Sequence, residues 1–355
     1  MIAADRNVWQ DLRRWLRRAL AATAGLVVLF LTITPMGCYV SRAAFEEARI
    51  LARRQPIQRL VARESTDPVL RSKLSLVLAA RQFAIDSLHL NAGESFTTFS
   101  QLDRDTLVLV VSAAYRDRLE RKMWWFPVVG SFPYKGFFNF DEALRTADDL
   151  RSDGFDVSVG ASSAFSTLGW FNDPLVSTTL RADSVTLVNT VLHELLHNTF
   201  FAKGSVSFNE SFASFVGGRG AEHFFRALGD STLLSYAQSD WQNDLLLGEF
   251  WERTANEMDS VFAVLPDTAV ALRLAAREGV YARARERLVD SVAPRLRGFP
   301  AGWAERVVLD NAVLLSRRVY ASGLDGFDSV YVAAGGDLRS AIREIIAAHK
   351  ALKEE

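Results

Sequence analysis

Cysteine is almost absent from this sequence: one residue, Cys38, in 355. Everything after position 38 can therefore form no internal disulfide and no cysteine-ligated zinc site. Histidine is scarce as well, at five. An excess of one charge is also missing, with 41 Lys and Arg against 42 Asp and Glu and a formal net charge of −1. That balance removes any broad electrostatic case for nucleic acid as a partner. No internal repeat and no low-complexity linker interrupts the chain. Long apolar runs are lacking too, with a single exception at 19–36, ALAATAGLVVLFLTITPM.

That run follows Arg6, Arg13, Arg14, Arg17 and Arg18. Basic residues before an uncharged apolar stretch read as a signal sequence or an N-terminal membrane anchor. The positive-inside rule keeps the arginines in the cytoplasm and sends the rest of the chain across the membrane. Cys38 comes directly after the run and directly after Gly37, as in the signal of bacterial lipoproteins. If the segment is such a signal, Cys38 becomes the lipidated first residue; if not, the run stays as a membrane helix. Both outcomes tether the chain to a membrane, with the rest expected in the periplasm of a bacterial envelope.

Residues 39–355 read as one compact unit, since 49% of the chain is hydrophobic and 23% charged. Apolar residues at helical spacing predict helices over 41–64 and 67–90, the first bent or broken at Pro56 and the second opened by Asp67-Pro68. DTLVLVVSAA at 105–114 predicts a buried strand, FDEALRTADDLRSDG a helix stopped by Gly154, and FDVSVGASS a second strand. From Asp183 onward nearly every segment has a helical pattern, ending in an amphipathic helix, DLRSAIREIIAAHK. The expected fold is α+β and mostly helical: helices over 39–100, a small α/β layer over 101–182, and a helical part over 183–355.

The chemistry concentrates in NTVLHELLHNTFFAKGSVSFNESFASF, 189–215. Asp183 and Ser184 are good N-cap residues for the apolar helix that follows. His193 and His197 are four apart, so they share one helix face and can share a metal ion. Glu194, next to them, can reach an attacking water rather than the metal. A catalytic zinc site takes three protein ligands, and Glu210 is the candidate third, 13 positions after His197. Gly204 and two serines lie between and allow a turn that folds a second helix back on the first. With five histidines in the chain, a chance His-Glu-x-x-His arises in roughly one such sequence in 200, which favours a real site. His223 reads as structural, and His89 and His349 sit at helix ends, away from the pattern.

His193-Glu194-x-x-His197 with Asn209-Glu210-x-x-Ala213 resembles the gluzincin pattern of zinc metallopeptidases. The whole chain is similar to a family of bacterial proteins described as putative aminopeptidases. The resemblance is carried by GCY at 37–39, WWFPVVGSFPYKGFF at 124–138, FSTLGWFNDPL at 165–175, HELLHNTFF at 193–201, FNESFASFVG at 208–217 and LDNAVLLSRRVY at 309–320. It implies one zinc ion, a peptidase-like site and an envelope location. The glycine-rich motif that binds a free amino terminus in better-known gluzincin aminopeptidases is not visible, and the spacing from His197 to Glu210 is shorter than theirs. Tyr134, in FPYKGFF, is a candidate hydrogen-bond donor to a developing oxyanion, and Tyr320 a second. Asp173, in WFNDPL, is the candidate partner for a substrate ammonium; otherwise it opens a helix with Pro174 in its first turn. The expected activity is a zinc-dependent aminopeptidase acting on peptides. A zinc endopeptidase, or a non-catalytic envelope scaffold that keeps the fold, are the alternatives, and an intact Glu194 argues against the scaffold.

Overall fold

The computed structural model describes residues 3–106, 108–126, 130–162 and 174–352. These fall into two units, 1–53 with 126–130, and 54–125 with 131–355.

The first unit is built on helices α1, Ala3–Ile33, and α2, Pro35–Ala52. Thr34 separates them: its hydroxyl accepts from the Gly37 amide at 2.9 Å and Pro35 takes the first turn of α2, which needs no N–H there. A side chain at Gly37 would place its Cβ 1.9 Å from the Phe30 carbonyl oxygen, so the bend between the helices tolerates only glycine. Asp11–Ile33 is long and apolar enough to cross a membrane and none of it is buried, the only such helix among the described residues.

The second unit opens with α3, Pro68–Asp86, capped by Asp67 through the Leu70 amide at 2.8 Å. Pro56 does end the helix predicted before it: the chain is extended at Gln55–Pro56, and a short turn of helix, Ile57–Ala62, follows. A three-stranded antiparallel sheet comes next, built from β1 (Val108–Ala114), β2 (Tyr134–Phe137) and β3 (Asp156–Ser162), with β1 in the middle. Helix α4, Phe140–Ser152, is capped by Asn139 and stops at Gly154, whose φ of 86° suits glycine.

Side chains alternate across a strand, so the sheet has two distinct faces. Val111 and Ala113 of β1, with Phe137 and Val157 beside them, pack on Ala143, Ala147 and Leu150 of α4. Ser112 and Ala114 point the other way. On that second face Tyr134 sits opposite Ser112, Asp156 flanks Ala114 on one side and Arg121 flanks it on the other.

The remainder is helical: α5 (Ser184–Thr199), α6 (Val206–Leu228), α7 (Ser231–Val264), α8 (Val270–Arg287), α9 (Asn311–Ala321), α10 (Leu324–Ala333) and α11 (Leu338–Ala351). The main core lies between α3, α5 and α6, with Leu74, Val77, Leu187, Leu192, Leu196, Phe212 and Phe215 fully enclosed.

The second face of the sheet meets α9 through a buried polar hub. Asn311 is fully buried; its amide nitrogen donates to the Tyr115 carbonyl at 2.8 Å and the Arg118 carbonyl at 3.2 Å, and its side-chain oxygen accepts from the Tyr281 hydroxyl at 2.6 Å. The Asn311 backbone N–H donates to Asp156 at 2.9 Å, and Arg277 pairs with the same carboxylate at 2.5 Å. Buried polar groups hold only when matched, and each is matched here. The hub fixes where α9 starts, and hence where its far end lies.

Candidate metal centre

Helix α5 starts where the sequence predicts. One carboxylate oxygen of Asp183 accepts from the Val185 and Thr186 amides at 2.9 and 3.0 Å, satisfying two donors that the first turn leaves free. Val185, Leu187, Val188, Val191, Leu192, Leu195 and Leu196 are all buried. His193, Glu194 and His197 occupy the half-exposed side of the helix. The apolar stripe therefore locks the rotation of the helix and aims these three outward.

The chain reverses through Gly204, at a φ of 80°, and re-enters as α6. Asn209 holds this turn. Its side-chain oxygen accepts from the Ala202 amide at 2.8 Å and its side-chain nitrogen donates to the Ala202 carbonyl at 2.9 Å, all buried. Thus the asparagine of Asn-Glu-x-x-Ala clamps the loop, which places Glu210 one residue later. The alanine, Ala213, is fully enclosed in the helix-pair core.

Three glycines of α6 let it come close to its neighbours. A Cβ at Gly217 would lie 2.1 Å from the side-chain oxygen of Asn189 and 2.8 Å from its backbone oxygen. At Gly218 it would meet the Trp241 ring at 2.5 Å, and at Gly220 the Leu192 side chain at 2.6 Å. Glycine inside a helix costs about 1 kcal/mol relative to alanine, and close packing explains three of them here. Gly217→Ala is expected to force α6 off α5, since the Asn189 backbone cannot yield. The expected loss is about 1–3 kcal/mol of stability together with weakened metal binding. Thermal unfolding and metal titration check this; unchanged metal affinity would separate the packing from the site.

The result is a tight group. The Nε2 atoms of His193 and His197 are 3.2 Å apart, and Glu210 Oε2 and Oε1 lie 3.3 and 3.6 Å from them respectively. These three residues form a set that could hold a metal ion, the only such set among the described residues. Ligand atoms about 2.0–2.1 Å from a tetrahedral zinc ion are about 3.3 Å from one another, so the observed edges fit that ion. Burial alone would lower the pKa of His197, but contact with Glu210 and the charge of Glu194 outweigh it and raise it. Burial would raise the Glu210 carboxyl, yet contact with His193 and His197 brings it down to about 2. Nδ1 of His197 is buried without a hydrogen-bond partner among the described residues.

Two tyrosines adjoin this group. Ser211, next to Glu210, donates its hydroxyl to the Val319 carbonyl at 3.1 Å, next to Tyr320 at the end of α9. Partial burial, then the charges of Glu210, Tyr134 and Glu194, push the Tyr320 hydroxyl up to about 12. Partial burial and the charge of Glu210 raise Tyr134 in the same direction. Both tyrosines therefore lie within reach of the Glu210 charge. Tyr320 was the less legible of the two, because nothing in a helix some 110 residues beyond Glu210 ties it to the motif (320 − 210 = 110).

His223 sits 13 residues beyond Glu210 on α6, where its Nε2 is 2.8 Å from the Tyr331 hydroxyl, away from the metal group. Asp173 and most of FSTLGWFNDPL lie outside the described residues. Cys38 is an exposed free thiol on α2, in the first unit.

Two imidazoles and a carboxylate lie at ligand spacing, with a second glutamate adjoining them on the helix, and the group could hold a metal ion. The family model described as "Putative aminopeptidase" matches residues 38–355, and the chain belongs to that family. No curated protein and no solved structure matches the chain.

Proposed function

We propose that the chain is a zinc-dependent metallopeptidase of gluzincin type that removes residues from the amino terminus of peptides. The observation that carries the reading is the His193–His197–Glu210 triangle, with edges of 3.2–3.6 Å, beside Glu194. The family description supports the direction of cleavage. His193, His197 and Glu210 would hold the ion, and zinc bound there would supply Lewis acidity toward a peptide carbonyl and toward water.

The chain's own residues do the rest. Glu194 accepts the proton of the attacking water as the water oxygen bonds to the carbonyl carbon. It then delivers that proton to the amide nitrogen as the C–N bond breaks, so the amine leaves neutral. Tyr134 and Tyr320 stay protonated at working pH, because their pKa values are raised, and donate hydrogen bonds to the carbonyl oxygen as it becomes negative.

The test compares a peptide carrying a free amino terminus with its acetylated twin, using zinc-loaded protein. Cleavage of the free form alone, abolished by chelation, is expected. Equal cleavage of both would move the protein to the endopeptidases, and no cleavage of either would return it to the non-catalytic reading.

The same proposal places the peptidase unit in the bacterial envelope, tethered by 1–38. The exposed span Asp11–Ile33 supports this, as does a family match that starts at Cys38 itself, the residue a lipoprotein signal would make the first of the mature chain. Incorporation of labelled fatty acid is expected, and its loss in Cys38→Ser identifies the lipidated residue. Absence of label from a membrane-bound chain would instead identify α1 as the anchor.

A further inference from the structure

The second face of the sheet carries a cation that the proposed chemistry does not use. Arg121 flanks Ala114 at the edge of β1, two residues along from Ser112, which faces Tyr134. Residues paired with positions two apart on one strand share a face and lie about 7 Å from each other. Arg121 and Tyr134 therefore stand side by side, over α9. Arg121 donates from Nη2 to the Leu315 carbonyl at 2.6 Å. Tyr320 is five residues further along the same helix, about 7.5 Å by its rise.

Arg121 is half-buried, and among the described residues no carboxylate lies within ion-pair distance of it. Its neighbours differ. Arg116 pairs with Asp156, and Arg118 with Asp117 and Glu120. Asp156 cannot serve Arg121, because it lies across Ala114 on the opposite strand and is held by Arg277. Burial lowers the Arg121 pKa and the proximity of Tyr320 works against that; reciprocally, Arg121 lowers Tyr320. Keeping a guanidinium half out of water without a counter-charge is costly, and a carboxylate arriving with the substrate would remove that cost by a bidentate pair.

We propose that Arg121 is the subsite for the C-terminal carboxylate of the substrate, set beyond the tyrosines that face the reacting carbonyl, so that the preferred substrates are di- and tripeptides with a free carboxyl end. The inference rests on the peptidase reading above. The backbones of Tyr134 and Arg121 are about 7 Å apart by strand rise, the length of about two residues of an extended peptide, and that scale sets the preference for short substrates. A main-chain carbonyl of a longer peptide offers Arg121 no charge, and an amidated end offers none either.

Binding and turnover are measured separately. Zinc-loaded Glu194→Gln is titrated calorimetrically with a dipeptide and with its C-terminal amide. The acid is expected to bind at least about ten-fold more tightly, as a charge-assisted pair predicts. Adding Arg121→Gln is expected to bring the ratio close to one, and Arg121→Lys to retain part of it. In otherwise unsubstituted protein, Arg121→Gln is expected to raise KM for the acid far more than for the amide. Melting temperature and zinc content are recorded for every variant. Equal binding of acid and amide without the Arg121 substitution overturns the inference whether or not any peptide is cut. An Arg121→Gln variant that weakens acid and amide alike overturns it too, and leaves Arg121 as a tie between the sheet and α9. Preserved acid selectivity with no turnover of any peptide would instead sink the peptidase reading and leave the subsite standing.

Discussion

Glu194→Gln is expected to lower peptide turnover by about a thousand-fold while zinc content stays at that of the parent chain. The magnitude is that of a lost general base. The separation of the two effects follows from geometry. The group at ligand spacing comprises His193, His197 and Glu210, and Glu194 is not in it. Glutamine keeps the size and the half-exposed position of the side chain, so helix α5 has no reason to move. Stopped-flow turnover and metal analysis on the same preparation check the result. A parallel fall in zinc would make Glu194 a ligand, and undiminished turnover would put the base elsewhere.

Glu210→Ala is expected to release the metal. Two imidazoles remain, and affinity should fall by well over about a hundred-fold, since even an outer partner of a metal ligand is worth 10–100-fold. Competition against a chromophoric chelator measures it. His223→Ala serves as the control, because His223 is bonded to Tyr331 away from the group, and its zinc affinity should match the parent. Near-parental affinity in Glu210→Ala would mean that another side chain completes the set. Acid should mimic the substitution. An imidazole must be neutral to bind a metal, and Glu210 raises the pKa of His197 above its ordinary 6.5. As pH falls, protons therefore begin to displace the ion at a higher pH than they would from an unperturbed imidazole.

Much of this site was legible because its signals are local. The cap at Asp183, the four-residue step from His193 to His197 and the glutamate after the Gly204 turn lie within one helix pair and obey helical spacing. The Asn209 clamp could have been found the same way, since an asparagine just inside a helix after a glycine turn has loop atoms within reach. Tyr134 and Arg121 were different. Their nearness depends on the register of β1 against its two neighbours, Ser112 opposite Tyr134 and Ala114 opposite Arg121. A one-residue slip would send both to the other face, and no sequence pattern fixes that register. The role of Asn311 was equally hidden, because it shows itself only when 115–118, Asp156, Arg277 and Tyr281 meet. The N-terminal helix, by contrast, needed nothing but composition.

The glycines at 217, 218 and 220 carry a consequence for metal choice. Helices α5 and α6 are seated by contacts among Asn189, Leu192, Trp241 and those three positions. None of these is in the metal group, so the donor triangle is set by packing and not by the ion. A pocket whose shape is imposed in this way favours ions that accept its donor spacing, so geometry and ligand type select the metal together with its supply. On the zinc reading, cobalt, which accepts the same tetrahedral donors, should enter it with little adjustment of the helices. Cobalt-loaded protein would then give an optical spectrum that reports the coordination number directly, without a change in helix content to complicate it.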